Sequence, residues 1–179
     1  MTIETIIESS MTFGPFPVGH CYYIEKSQTL KEINKHVRKG EGIRIAEFLL
    51  LKNQNNRTIV SIIEAKTSSP QPKSGNNYDG YINEIKEKLA NSLALFISFY
   101  LQCHPTGNLE LPEHFKHLEI AGLHFEMILV VKNSKEDWLI PIHDDLKKAL
   151  KPTLNLWNLS PTAVKVFNEE LARAQQLVN

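Results

Sequence analysis

Three side chains in the middle of this chain could do chemistry together: Glu47, Glu64 and Lys66, within the stretch IRIAEFLLLKNQNNRTIVSIIEAKT from Ile43 to Thr67. Two carboxylates can hold a hard divalent cation such as Mg²⁺, which takes oxygen ligands and keeps several waters. An ammonium beside them can orient an attacking water or stabilise charge on a phosphate. Two plainer uses fit the same residues. Lys66 can pair with either glutamate at a strand end, or the charges can keep an exposed sheet edge from aggregating. Residue types and spacing leave all three open.

A hairpin has to position these groups. Two β-rich runs, Ile43–Leu51 and Thr58–Ala65, flank a polar turn, Lys52–Arg57, that holds three Asn. Glu64 and Lys66 are two apart, so they share a face. A four-residue turn sets Lys52 opposite Arg57 and Glu47 opposite Ile62. Glu47 then lies diagonal to Glu64, roughly 7–8 Å away between backbones. A slip of one residue would send Glu47 to the other face.

An acid in one strand followed by Glu-x-Lys at the end of the next resembles the core of the PD-(D/E)xK nuclease-like superfamily. IIEAKT stands where that family carries its (D/E)xK signature, and Glu47 in IRIAEFLL stands where it carries its first acid. The resemblance covers about residues 28–132. It implies a mixed central β-sheet flanked by helices, with a helix before the hairpin and a helix and strand after it. It also implies metal-assisted hydrolysis of a phosphodiester, DNA more than RNA, with Mg²⁺ or Mn²⁺ held by Glu47, Glu64 and the Ala65 carbonyl. Lys66 would position water and neutralise developing charge. Some members carry a further acid on the preceding helix, which here would be Glu32. One departure stands out: the family's first acid is usually Asp after Pro, and here it is Glu after Ala.

The remainder of the chain sets bounds. Its 179 residues suffice for one domain with a full core. Twenty basic and twenty acidic residues cancel, so net charge gives no push toward nucleic acid. Cys21 and Cys103 suit buried thiols in a reduced cytoplasmic protein better than a disulfide framework. The N-terminus lacks the pattern of a signal peptide, and the most apolar run, Leu93–Leu101, is too short to span a bilayer.

Along the chain, residues 1–19 run into Phe13-Gly14-Pro15-Phe16-Pro17, where regular structure is not expected. Cys21–Ile24 reads as a short strand. Thr29 with Glu32 fits a capping box opening a helix over Thr29–Lys39, closed by Gly40, and capping competes with a site role for Glu32. Lys31, Lys35, Arg38 and Lys39 fit phosphate contacts or a solvated face equally. Ser68–Asn77 reads as a flexible loop, and Asp79–Gln102 as a long helix whose Glu84, Lys86, Glu87 and Lys88 lie on its wet side. Pro105 and Gly107 end it, and a brief helical turn follows in Leu111–Leu118. His114 and His117 lack a third ligand for zinc. Leu123–Val131 is a strand completing a β-α-β crossover, for which parallel pairing is the expectation. Trp138–Ile142 reads as an edge strand, and Asp144 or Asp145 opens a short helix to Lys151. Ser160 and Pro161 start a C-terminal helix with an apolar stripe of Val164, Phe167, Leu171 and Ala174.

The sequence thus reads as a single α/β domain over residues 1–179 with C-terminal helical additions over about 133–179. Its expected partner is nucleic acid, in a homodimer or as a subunit of a larger complex. The rival readings are a non-catalytic module of the same fold that binds nucleic acid or a protein, and a domain whose three residues form a plain ion-pair network.

Overall fold

The computed structural model describes residues 2–38 and 40–179. Its centre is a mixed five-stranded sheet in the order β3-β4-β5-β6-β7: Cys21–Tyr22, Phe48–Gln54, Arg57–Lys66, Leu123–Val131 and Val164–Asn168. β3 to β5 pair antiparallel, and β5, β6 and β7 run parallel. The parallel pairing of β5 with β6 across an intervening helix follows the expectation. The sheet reaches beyond residues 28–132 on both sides.

The β4–β5 turn is tighter than the sequence suggests. Asn55 and Asn56, at φ 52° and 60°, form a two-residue connection with Gln54 opposite Arg57. Asparagine tolerates this left-handed region, which such tight hairpins require. The register therefore differs by two residues from the four-residue turn, with Phe48 opposite Ile63. A shift of two preserves the face of every side chain. β4 also begins at Phe48 and not at Ile43, because residues 43–47 approach the sheet as irregular chain.

Each face of the sheet carries its own core. One face, with Leu49, Val60, Ile62, Met127 and Leu129, packs under α2 (Asn76–Tyr100) and α5 (Glu136–Leu156). In α2, Tyr78, Ile82, Ile85, Leu89, Leu93 and Phe96 recur at helical spacing and are buried. The other face, with Phe48, Leu50, Ile63, Ile128 and Val130, is covered by an N-terminal hairpin and the end of the chain.

That hairpin overturns the expectation of irregular structure at the start. β1 (Ile3–Glu8) and β2 (Met11–Pro17) pair antiparallel, and Ile6, Met11, Phe13 and Phe16 are buried. Phe13 packs edge-on against Phe48, with ring centroids 5.2 Å apart. Alternation of apolar residues outweighs the turn propensity of Gly14 and the two prolines.

Three further expectations are corrected. The first helix, α1, covers only Gln28–Ile33, and Ser27 caps it by accepting from the Leu30 amide. Thr29 is buried instead, with its hydroxyl on Glu110. Residue 39, in the expected helix, lies outside the described residues, and Gly40 occupies a later turn. Trp138–Ile142 is not a strand but the beginning of α5, which contains both Pro141 and Pro152 and has already started before Asp144 and Asp145. The C-terminal segment is not one long helix. Ser160 caps a single 3₁₀ turn, and Val164–Asn168 extends as edge strand β7 because Val164 and Val166 alternate with Lys165 across the two faces. The helix there, α6, covers only Glu169–Ala174, leaving Leu171 exposed.

Pro105 opens the short α3 (Pro105–Glu110), and α4 (Glu113–Lys116) supplies the brief helical turn. Cys21 is buried as expected, whereas Cys103 is exposed. None of the described helices is long and apolar enough to cross a membrane.

Candidate active site

β5 carries Glu64 and Lys66 on the face that meets α2, and its backbone there pairs with Leu129 and Val131 of β6. Glu47 comes next to Glu64 in the hairpin register, just beyond the last paired residues of β4. It is held there from the helix side. The Ala46 amide donates to Ser92 Oγ at 2.8 Å, and Ser92 Oγ donates to the Lys88 carbonyl at 2.8 Å. The structure thus brings Glu47, Glu64 and Lys66 together.

The helix completes the cluster with residues the sequence assigns to its wet side. Lys88 Nζ lies 2.9 Å from Glu64 Oε1 and 3.7 Å from Glu47 Oε1. Lys66 Nζ lies 3.3 Å from Glu64 Oε1 and 2.8 Å from Glu84 Oε1. The Glu64 side chain is fully buried, and those of Glu47 and Lys88 are each 12% exposed. A signal for these helix residues exists in the sequence. Tyr81, Glu84, Lys88 and Ser92 follow each other at spacings of three and four, beside the apolar stripe. Ser92 interrupts an apolar half-helix where a small hydroxyl has no packing reason to be.

Electrostatically the pair is under strain. Burial pushes the Glu47 carboxyl up to about 8, with the neighbouring Glu25 carboxyl and the charge of Glu64 adding to the effect. Glu64 is also raised by burial, against the pull of Lys88 and Lys66. Burial opposes charge on Lys66, but its bonds to Glu84 and Glu64 outweigh it and hold the ammonium above its ordinary range. Glu84 is lowered by the hydrogen bond from Lys66. Two buried oxygens at this cluster, Glu64 Oε2 and the Tyr81 hydroxyl, have no partner among the described residues. Burial and then the charges of Glu64 and Glu84 raise the Tyr81 hydroxyl pKa.

Buried polar atoms are nearly always satisfied, and an unpartnered carboxylate oxygen is a group able to accept a cation. Glu47 and Glu64 supply hard oxygen donors of the kind Mg²⁺ or Mn²⁺ takes. Among the described residues no group of three or more His, Cys, Asp or Glu side chains is placed to hold a metal, so the two carboxylates would need water or a further protein oxygen to complete a coordination shell. The Ala65 carbonyl is the nearest in sequence, and it already accepts from Ser9 Oγ at 2.9 Å, from the tip of the N-terminal hairpin.

Other sequence candidates are not part of the cluster. Glu32 is exposed on α1 and its side chain makes no hydrogen bond or ion pair among the described residues, while Glu25, on the 3₁₀ turn Ile24–Lys26, is the acid beside Glu47. His117 pairs with Glu113 at 3.3 Å, and the His114 ring packs on His20 with centroids 4.9 Å apart. Comparison with known protein families, curated proteins and solved structures gives no match to this chain.

Proposed function

We propose that the chain is a metal-dependent nuclease with a restriction-endonuclease-like core, hydrolysing phosphodiester bonds of DNA, with Glu47, Glu64 and the Ala65 carbonyl holding Mg²⁺ or Mn²⁺. One observation carries this reading: two carboxylates share Lys88, Glu64 fully buried and Glu47 largely so, and Glu64 Oε2 has no partner among the described residues. The choice of DNA rests on the likeness of IIEAKT and Glu47 to the nuclease motif, which is analogy. A bound divalent ion would supply Lewis-acid polarisation and an activated water. The protein's own contribution is positional. Lys66, kept charged by Glu84, stands next to the carboxylate pair and neutralises charge developing on the phosphate. Burial holds the Glu47 carboxyl above its ordinary range, so ligation there competes with a proton and is favoured as pH rises. A homodimer, or a place in a larger complex, belongs to the same proposal.

A second reading is favoured by the contacts of Lys88 and Ser9. Lys88 already supplies counter-charge to both carboxylates, and Ser9 occupies the Ala65 carbonyl. On this reading the chain keeps the arrangement without cutting, and binds nucleic acid or a protein partner.

Thermal unfolding with and without Mn²⁺, joined to a supercoiled-plasmid nicking assay, separates the two. Ion at about a hundred times its Kd adds about 2.7 kcal/mol of stability, worth roughly 5–10 °C in Tm at this chain length. Wild type is expected to show such a rise and to nick DNA, and Glu64→Gln to lose both. A rise without nicking leaves the second reading. A wild-type Tm indifferent to millimolar Mn²⁺ overturns the metal site.

A further inference from the structure

Lys88 stands where a cation shared by Glu47 and Glu64 would stand. Its ammonium is 2.9 Å from one carboxylate and 3.7 Å from the other, and it approaches from α2, the wall facing the sheet. Lys66 cannot take that place, because it is turned toward Glu84 at 2.8 Å and reaches only Glu64. The Lys88 backbone is fixed within α2, with its carbonyl accepting from Ser92, so the side chain alone is free to move. It has somewhere to go. Lys88 also lines a cavity of about 470 Å³ bounded by Glu25, Lys31, Asn34, Ile43 and Arg44, in which Glu25 is the one acid and Lys31 and Arg44 are basic. Glu25 can receive a displaced ammonium there.

We propose that Lys88 is a built-in counter-cation that competes with a divalent ion for the Glu47–Glu64 pair and swings into the adjoining cavity when the ion binds. The inference rests on the reading of that pair as a metal site. A lysine is suited to this exchange: its ammonium is a compact charge on a flexible stem, and its three donors need not be held in one plane. With Lys88 engaged, the carboxylates are partly neutralised without metal, so the fold tolerates them at the cost of weaker ion binding. Lys88 is a positioning residue in this scheme and holds no ion itself.

The test is Mn²⁺ binding by isothermal titration calorimetry to wild type, Lys88→Met and Lys88→Arg, on the full chain. Lys88→Met is expected to bind about tenfold more tightly than wild type, an effect between those of surface and fully buried ion pairs. Lys88→Arg keeps the charge and is expected to bind no more tightly than wild type. A purely structural lysine would not raise affinity when removed. Equal or weaker Mn²⁺ binding by Lys88→Met, with wild type binding, overturns the exchange and leaves the metal site standing. Absence of binding in all three proteins overturns both.

If Lys88→Met fails to fold, nitrogen-15 NMR of the lysine ammonium groups in wild type decides the question. The Lys88 signal is expected to be protected from exchange without metal and to lose that protection on adding Mg²⁺. A Lys88 signal unchanged at saturating Mg²⁺ overturns the proposal.

Discussion

The two faces of the sheet each bury a glutamate, and they treat it in opposite ways. On the face covered by the N-terminal hairpin, Glu126 accepts from Lys165 through one oxygen and from Lys52 and Ser61 through the other, at 3.1 and 3.0 Å. Burial opposes its charge, but the two lysines outweigh burial and hold its carboxyl below the ordinary range. On the α2 face, Glu64 has two lysines as well, yet both approach the same oxygen and Oε2 has no partner among the described residues. A second carboxylate, Glu47, crowds it there, and both are raised. Lysine count therefore does not distinguish the two networks. What separates them is whether every buried oxygen is satisfied and whether like charges are forced together.

The largest expected difference is in pH dependence. Glu47 titrates near 4.5 when unfolded and at about 8 when folded. Between those values the folded state holds a proton that the unfolded state has lost, so stability without metal falls as pH rises through that window. The raised Glu64 adds in the same direction. The loss is on the order of a few kcal/mol, and Glu47→Gln is expected to remove most of it. Glu126 acts with the opposite sign. Its folded pKa is lowered, so its contribution is present above the unfolded value and is lost as pH falls through the folded one. Urea unfolding in chelator checks the Glu47 part between about pH 5 and 9 and the Glu126 part below the ordinary glutamate pKa, and a Glu47→Gln profile parallel to wild type in the upper range would remove the contrast.

Much of this contrast was legible from the chain, and some was not. The hairpin, Glu64 and Lys66 on one face, the long helix and the β6 strand follow from local periodicity, and the face of Glu47 survived a wrong turn length because the error was an even number of residues. The partners of Glu64 could not be read the same way. Whether Lys88 faces solvent or a carboxylate depends on how α2 lies on the sheet, which is tertiary information. The sequence pattern does not show β7, because Val164, Phe167 and Leu171 fit a helical stripe as well as Val164 and Val166 fit a strand. That exchange hid Lys165, and with it the whole Glu126 network. The N-terminal hairpin was missed because Gly and Pro signal turns more strongly than a short alternation signals a strand.

A medium effect tests the satisfied side. Glu126→Ala removes three charge-assisted bonds but leaves Lys52 and Lys165 about a third exposed, at 29% and 34%, so water can reclaim them. The cost is expected to be about 1–3 kcal/mol, read as a lower urea midpoint with an unchanged m-value. The Mn²⁺ response should persist, because Glu126 lies on the opposite face from Glu64. A lost response in a folded Glu126→Ala protein would mean that the two networks are coupled through the sheet.

The smallest effect on stability is expected at Lys66. Its side chain is 25% exposed and its shorter ion pair is with the half-buried Glu84, so that bridge is close to the surface kind. Glu64 keeps Lys88 at 2.9 Å when Lys66 is gone. Methionine retains most of the apolar stem along which a lysine packs. Lys66→Met is therefore expected to cost up to about 1 kcal/mol and to leave the Mn²⁺-induced rise in melting temperature in place. On the nuclease reading, plasmid nicking should nevertheless be lost, because the charge that Lys66 would supply opposite the developing phosphate oxyanion has been removed while the carboxylates remain. A variant that loses the Mn²⁺ response along with nicking would place Lys66 among the groups that hold the ion site together. One that nicks at the wild-type rate would return Lys66 to an ordinary ion pair, as satisfied and as structural as the lysines around Glu126.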